Sequence, residues 1–240
     1  MITKTFCHIK GITEHKEQQL WRKGITSWDE FLEKPHLHNC PQHACTHVEH
    51  SIHHLQNDNL QFFQSLPSNQ QWRLYKHAKP CFLDIETTGL SKQRNKVTTI
   101  GMFDGEKSNV LINGKDLDEF HARMKQYNML ITFNGKCFDV PFLKHHFPTT
   151  DLNMFHVDLR YVMKSLGFSG GLKNIEKDVG ISRDEELAEV DGYEAVRLWK
   201  RYERGNKQAL QTLVEYNRAD TVNLKTLMDF AYKRMVAKLQ

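Results

Sequence analysis

The chain has 240 residues, 39% of them hydrophobic and 26% charged, with a formal net charge of +4. That length allows one sizeable core plus an appendage, and no run approaches the ~20 apolar residues of a membrane span, which argues against a helical membrane protein. The start, Met1 to His8, lacks the apolar core of a signal peptide; five cysteines (Cys7, Cys40, Cys45, Cys81, Cys137) in no disulfide-framework spacing point to a reduced, cytoplasmic setting without a membrane partner.

Residues 1–34 predict a small helical subdomain. Gly11-Ile12-Thr13 opens a helix through Leu20 and Trp21, and Gly24-Ile25 turns the chain into a second helix over Ser27 to Leu32. This piece is similar to the second half of a helix-hairpin-helix element, which grips a nucleic-acid backbone through hairpin amides. It departs from that pattern at Thr13, where a glycine is usual, and only ten residues precede Gly11. The alternative is a packing subdomain with Trp21, Trp28 and Phe31 as its core.

Residues 35–79 read as a His-rich linker followed by helices. His36, His38, Cys40, His43, Cys45, His47, His50, His53 and His54 crowd one stretch. Zinc takes such ligands, but no C-x-x-C pair is present, so a polar linker and helix face is expected over a zinc site. Leu55, Phe62, Phe63 and Leu66 then give an apolar face. Ser68-Asn69-Gln70-Gln71 offers a capping box for a helix through Trp72 and Leu74, which Pro80 ends.

From residue 81 a β/α alternation begins. Strands are expected over 82–86, 97–103 and 109–112, with Asp104-Gly105 as a hairpin turn. A helix over 117–127, a strand over 129–133, a short strand near 155–157, and helices around 138–146, 159–166, 172–179, 192–204 and 207–232 complete the pattern. The fold class over 80–240 is therefore α/β, a mixed sheet flanked by helices, with a small helical extension before it. Net charge runs +2, −3 and +5 over residues 1–80, 81–192 and 193–240. The basic excess, Arg197, Lys200, Arg201, Arg204 and Lys207, suits either a phosphate backbone or a solvated helix face.

Three acidic motifs stand out in this region: Asp84-Ile85-Glu86-Thr87-Thr88-Gly89-Leu90, Asn134-Gly135-Lys136-Cys137-Phe138-Asp139-Val140-Pro141, and Tyr216-Asn217-Arg218-Ala219-Asp220. Asp84 and Glu86, two apart on a strand, leave the same face of a sheet. Beside Phe82, Leu83 and Ile85 they would be costly to bury without a neutralising cation. Asp139 lies near a helix start, because Pro141 is tolerated only in a first turn; an acid there could also serve the helix dipole. Tyr216 and Asp220 share one helix face with Leu213, Leu224 and Leu227, a stripe that points inward. Oxygen-only ligands favour Mg²⁺ or Mn²⁺ over zinc, and two such ions ~3.5–4 Å apart suit in-line attack on a phosphodiester.

In order and content the three motifs resemble those of the DEDD 3′→5′ exonucleases, which have the ribonuclease H-like fold. The tyrosine four residues before the last aspartate marks the DEDDy branch; the sister branch has a histidine where Glu215 stands. Within the branch the chain looks most like the YprB-like ribonuclease H-like proteins. Asp158-Leu159, Gly171 to Glu176, Gly180 to Arg183 and Asp191-Gly192 match their pattern, so the resemblance covers roughly residues 80–232. It implies that Asp84 bridges two ions, Glu86 and Asp220 complete the ligand set and Asp139 contacts the second ion, often through water. Tyr216 would aim the attacking water. Thr87, Thr88, Gly89 and Leu90 would pack on the 3′-terminal nucleotide, and Asn134 would either support the metal ligands or contact the substrate.

The expected function is thus a two-metal 3′→5′ exonuclease on DNA or RNA with a free 3′ end, releasing nucleoside 5′-monophosphates. Two alternatives stay open: an endonuclease on RNA/DNA hybrids or structured junctions, and a nucleic-acid-binding module with a silent site. Glu176 and Arg183 flank a helix end and could pair locally. Trp199 and Tyr202 are expected in the core rather than stacked on bases.

Overall fold

In the computed structural model, which describes residues 1–40, 42–184, 187 and 189–239, the chain divides into Met1–Ala78 and Lys79–Gln240. Pro41, within the His-rich stretch, lies outside the described residues.

In the first unit, short polar side chains start two helices. Thr13 Oγ1 accepts the Lys16 amide at the head of α1 (Glu14–Arg22), and Ser27 Oγ accepts the Glu30 amide at the head of α2 (Trp28–Glu33). Gly24, at φ +76°, makes the turn between them. Trp28 and Phe31 are buried with Phe6 and Phe63, Trp28 lying parallel to Phe63 with centroids 5.8 Å apart. Trp21 departs from expectation: it is half-buried, its Nε1 donating to the Lys4 carbonyl at 3.1 Å.

After α3 (Gln42–Gln56) the chain forms 3₁₀ turns, Leu60–Ser65 and Gln71–Leu74, where longer helices were expected. Asp58, at φ +53°, breaks the helical path, and the second turn has no side-chain cap. Gln70 Oε1 instead accepts from Arg73 Nε at 2.7 Å, and Arg73 Nη2 reaches Glu17 Oε1 at 2.8 Å.

His8 and His38 are packing groups, whereas His36, His43, His50 and His53 of the same unit are exposed. His38 stacks on Phe31 (centroids 3.9 Å) and bonds its carbonyl, while His8 Nε2 meets Ser51 Oγ at 2.8 Å. Among the described residues, the His and Cys side chains of 36–54 gather into no group of three able to hold an ion. Burial, reinforced by nearby His47, lowers the His8 pKa to about 3. The unfolded chain therefore binds this proton more readily. His8's contribution to stability is present above pH ~6.5 and is lost as pH falls from there towards 3. Urea unfolding at pH 7.5 and 4.5 should show this loss, and His8→Gln should flatten it.

The second unit is built on five strands: β1 (Pro80–Thr87), β2 (Val97–Phe103), β3 (Ser108–Ile112), β4 (Met129–Thr132) and β5 (Phe155–Asp158). Their order is β3-β2-β1-β4-β5. β1, β2 and β3 pair antiparallel, whereas β4 joins β1, and β5 joins β4, in parallel. Parallel pairs need crossovers, and α4 (Phe120–Met124) and α5 (Asp139–His146) occur in the two connections. The expected 117–127 helix is shorter, a 3₁₀ turn at Leu117–Glu119 leading into α4. Helices α6 (Leu159–Ser165), α7 (Leu172–Val179), α8 (Gly192–Glu203) and α9 (Lys207–Lys238) follow.

Strand alternation sorts the two faces. Leu83, Ile85, Ile100 and Met102 form one core with Phe120 of α4 and with Phe142 and Leu143 of α5. The opposite face of β1 and β2 receives α9, which with α8 makes a second cluster containing Trp199, Leu210, Leu213 and Tyr216. Trp199 is thus a core residue. Arg197, Lys200, Arg201, Arg204 and Lys207 are exposed, Arg197 and Arg201 pairing with Glu194. The result is the α/β class expected, a mixed sheet flanked by helices.

Candidate metal centre

Asp84 and Glu86 project from β1 towards α9, and Asp220 reaches them from the middle of that helix. One carboxylate oxygen of each lies within 4.8 Å of the others. Residues 134 positions apart in the chain are joined only because α9 packs closely on the sheet. Gly101 of β2, paired with Asp84, permits that approach. A Cβ there would stand 2.7 Å from Thr221 Cγ2 and 2.9 Å from Asn217 Oδ1. Gly101→Ala should therefore push α9 outward and cost about 1–3 kcal/mol, measurable by chemical denaturation.

Asn217, fully buried, clamps the first carboxylate. Its Nδ2 donates to Asp84 Oδ2 at 2.7 Å and to the Asp84 carbonyl at 3.2 Å. Asp139, at the head of α5, is 4% exposed and not part of the three-carboxylate group. Its Oδ1 accepts the Ile85 amide at 3.1 Å, beyond the last β1 residue paired with β4.

These acids are electrostatically uncomfortable. Burial first, then the charges of Asp220, Glu86 and Asp139, hold the Asp84 pKa well above its ordinary value. Burial and the charges of Asp220 and Asp139 do the same to Glu86, opposed by Lys173. Burial lifts Asp139 to about 7 despite the amide hydrogen bonds it accepts. Burial raises Asp220 as well, against the pull of Arg183. Tyr216, one turn before Asp220, is raised above its usual 10 by burial and by the charges of Asp220, Glu86 and Asp84. Its hydroxyl therefore stays protonated at neutral pH, a hydrogen-bond donor and not a base.

Oxygen donors that repel one another when ionised fit a hard divalent cation. Raised carboxyl pKa values mean that the folded state keeps protons the unfolded chain releases. For Asp139 that stabilisation is full below about pH 4 and is lost as pH rises through about 7, and the other raised carboxyls lose theirs in the same direction. The stabilisation conferred by Mn²⁺ should accordingly grow from pH 5 to pH 8, read as the difference between melting curves with and without the ion.

A family model of the RNase_H superfamily matches residues 81–232. The chain belongs to the RNase H superfamily. No curated protein matches it. Among solved structures, this RNase H superfamily member is similar to the family B DNA polymerase of the archaeon Pyrobaculum calidifontis, at 16% identity and TM-score 0.51. That match covers 63% of this chain and 24% of the polymerase. It is also similar to Brucella melitensis NrnC with bound Mg²⁺, at 19% identity and TM-score 0.48, over 67% of this chain and 75% of NrnC. NrnC bound to pGG gives 18% and 0.49, over 67% and 74% of the two chains.

The loop after β1 is shaped by its own side chains. Thr87 Oγ1 donates to the Gly89 carbonyl at 2.7 Å and Thr88 Oγ1 accepts the Lys96 amide at 3.0 Å, leaving Leu90 87% exposed. Asn134 occupies left-handed backbone (φ +64°) after β4. Its Oδ1 accepts from Arg160 Nη1 at 2.7 Å, so within the protein its partner is an arginine. Asp158 holds the same loop, accepting the Asn134 and Lys136 amides at 2.8 and 3.0 Å while capping α6.

Two features were not foreseen from sequence. One is the Asn217 clamp, which a polar residue inside the third motif could have signalled. The other is Arg183. It pairs with Glu176 through Nε and Nη2 (2.5 and 2.7 Å), as local pairing suggested, but its Nη1 also lies 2.5 Å from Asp220 Oδ1.

Proposed function

We propose that the protein is a divalent-metal-dependent 3′→5′ exonuclease of the DEDDy type that hydrolyses DNA or RNA from a free 3′ end and releases nucleoside 5′-monophosphates. The observation that carries this reading is the meeting of Asp84, Glu86 and Asp220 within 4.8 Å, from two elements far apart in the chain. Asp84, Glu86 and Asp220 would hold the ions, Mg²⁺ or Mn²⁺ and two in number, with Asp139 beside them. Bound there, the ions would lower the pKa of the attacking water and stabilise the leaving 3′ oxygen.

The chain's own groups supply orientation. Asn217 fixes the Asp84 carboxylate, and the protonated Tyr216 hydroxyl donates a hydrogen bond that aims the nucleophile. The exposed Leu90 side chain, on a loop braced by Thr87, Thr88 and Gly89, offers an apolar surface to a terminal base, and Asn134 lies near the chain's path to Asp139. Tyr216 with Asp220 supports the DEDDy branch. The match over residues 158–192 supports kinship with the YprB-like proteins, and the five free cysteines support a reduced, cytoplasmic setting. No described helix is long and apolar enough to cross a membrane.

Linear and covalently closed strands of DNA and of RNA, free, in RNA/DNA hybrids and in structured junctions, separate the alternatives with Mg²⁺ or Mn²⁺ present. The exonuclease shortens linear strands and spares circles; opened circles would establish an endonuclease. Retained binding with no cleavage of any strand would establish the silent binding module.

A further inference from the structure

Arg183 already holds one of the three carboxylates, Asp220. Its guanidinium is held on one side by Glu176, through two hydrogen bonds of 2.5 and 2.7 Å, and its remaining Nη1 touches Asp220 Oδ1 at 2.5 Å. All three side chains are buried. Gly180, in left-handed backbone (φ +82°), ends α7 and turns the chain so that Arg183 returns towards Glu176 of that helix. The fork geometry of arginine suits this double grip; a lysine could not satisfy both carboxylates with the same directions.

We propose that Arg183 is the resident counter-ion of Asp220 in the metal-free protein, and that it yields Asp220, but not Glu176, when a divalent cation binds. Resting on the exonuclease reading of this site, the inference makes Arg183 a positioning residue. It holds Asp220 in place beside Asp84 and Glu86 while no metal is present, and gives up the Nη1 contact when the metal binds. Glu176 is the tether. Its two bonds account for the guanidinium's orientation without Asp220, so release needs only the Nη1 contact to break.

A purely structural arginine and a place-holding one predict opposite signs. If Arg183 only props Asp220, its removal loosens a ligand and weakens metal binding. If it competes with the metal, its removal tightens binding. Calorimetric titration of the full-length protein with Mn²⁺, without nucleic acid, reads this directly. Arg183→Gln should tighten Mn²⁺ binding by about 10-fold, the order expected when a buried ion-pair contact no longer has to be given up.

Because Arg183→Gln leaves Glu176 buried and unpaired, the double variant Arg183→Gln/Glu176→Gln provides a second arm, with the same tightening expected. Unchanged or weaker Mn²⁺ binding in either folded variant would overturn the inference while leaving the exonuclease intact. A wild-type protein that binds no Mn²⁺ would instead overturn the function on which it rests.

Discussion

Asp84→Ala should reduce cleavage at least ~100-fold, equivalent to ~2.7 kcal/mol or more of transition-state stabilisation, and should abolish most of the stabilisation by Mn²⁺. The reason lies in its position. Asp84 is the β1 carboxylate fixed by Asn217 and meets both Glu86 and Asp220, so no neighbour can replace it. Without metal, the variant should also lose part of the mutual repulsion that raises the carboxyl pKa values. Its melting temperature at neutral pH should therefore fall less than a buried-side-chain truncation would suggest. Paired melting curves with and without Mn²⁺ check both statements. A variant still strongly stabilised by the ion would place the metal elsewhere.

Arg73→Met should cost the first unit about 3–5 kcal/mol, because it leaves Glu17 buried without its counter-ion. Glu17 is fully engaged in the fold. Oε2 accepts from Thr5 Oγ1 at 2.5 Å and the Phe6 amide at 2.6 Å, and Oε1 accepts from Arg73. The pair ties the N-terminal segment, α1 and the Gln71–Leu74 turn together. Glu17→Gln in the Arg73→Met background should recover part of the loss, since it removes the stranded charge and keeps hydrogen-bonding capacity. Urea denaturation measures both, and a loss below 1 kcal/mol for Arg73→Met would show that the charges are not buried as described.

The strands and helices of residues 80–240 were legible because their apolar periodicity agrees with the tertiary fold. β1 alternates Leu83 and Ile85 with Asp84 and Glu86, and Asp191, Asn206 and the φ-positive Gly180 mark helix ends at or next to the expected positions. The candidate site was legible for the same reason, since its acids interrupt apolar elements at positions where local packing gives no use for a charge. What could not be read was pairing across the chain. Gly101 looks like any strand glycine until α9 lies against it. Arg183 shows a local partner, Glu176, at seven residues, but its contact with Asp220 depends on how α7 and α9 are placed. In the first unit Glu17 and Arg73 pair across 56 residues, and the Gln71–Leu74 turn forms without the capping box read at Ser68 to Gln71. Trp21 was expected inside, yet it lies at a boundary where its ring nitrogen finds a carbonyl.

The most direct measurement is a time course on 5′-labelled single-stranded DNA and RNA with Mg²⁺ or Mn²⁺, run beside EDTA and Asp84→Ala. A ladder that shortens stepwise from the 3′ end, absent with EDTA and in the variant, is the predicted result. Strands left intact by the wild-type protein with either ion, although bound by it, would contradict a catalytic role for the three carboxylates.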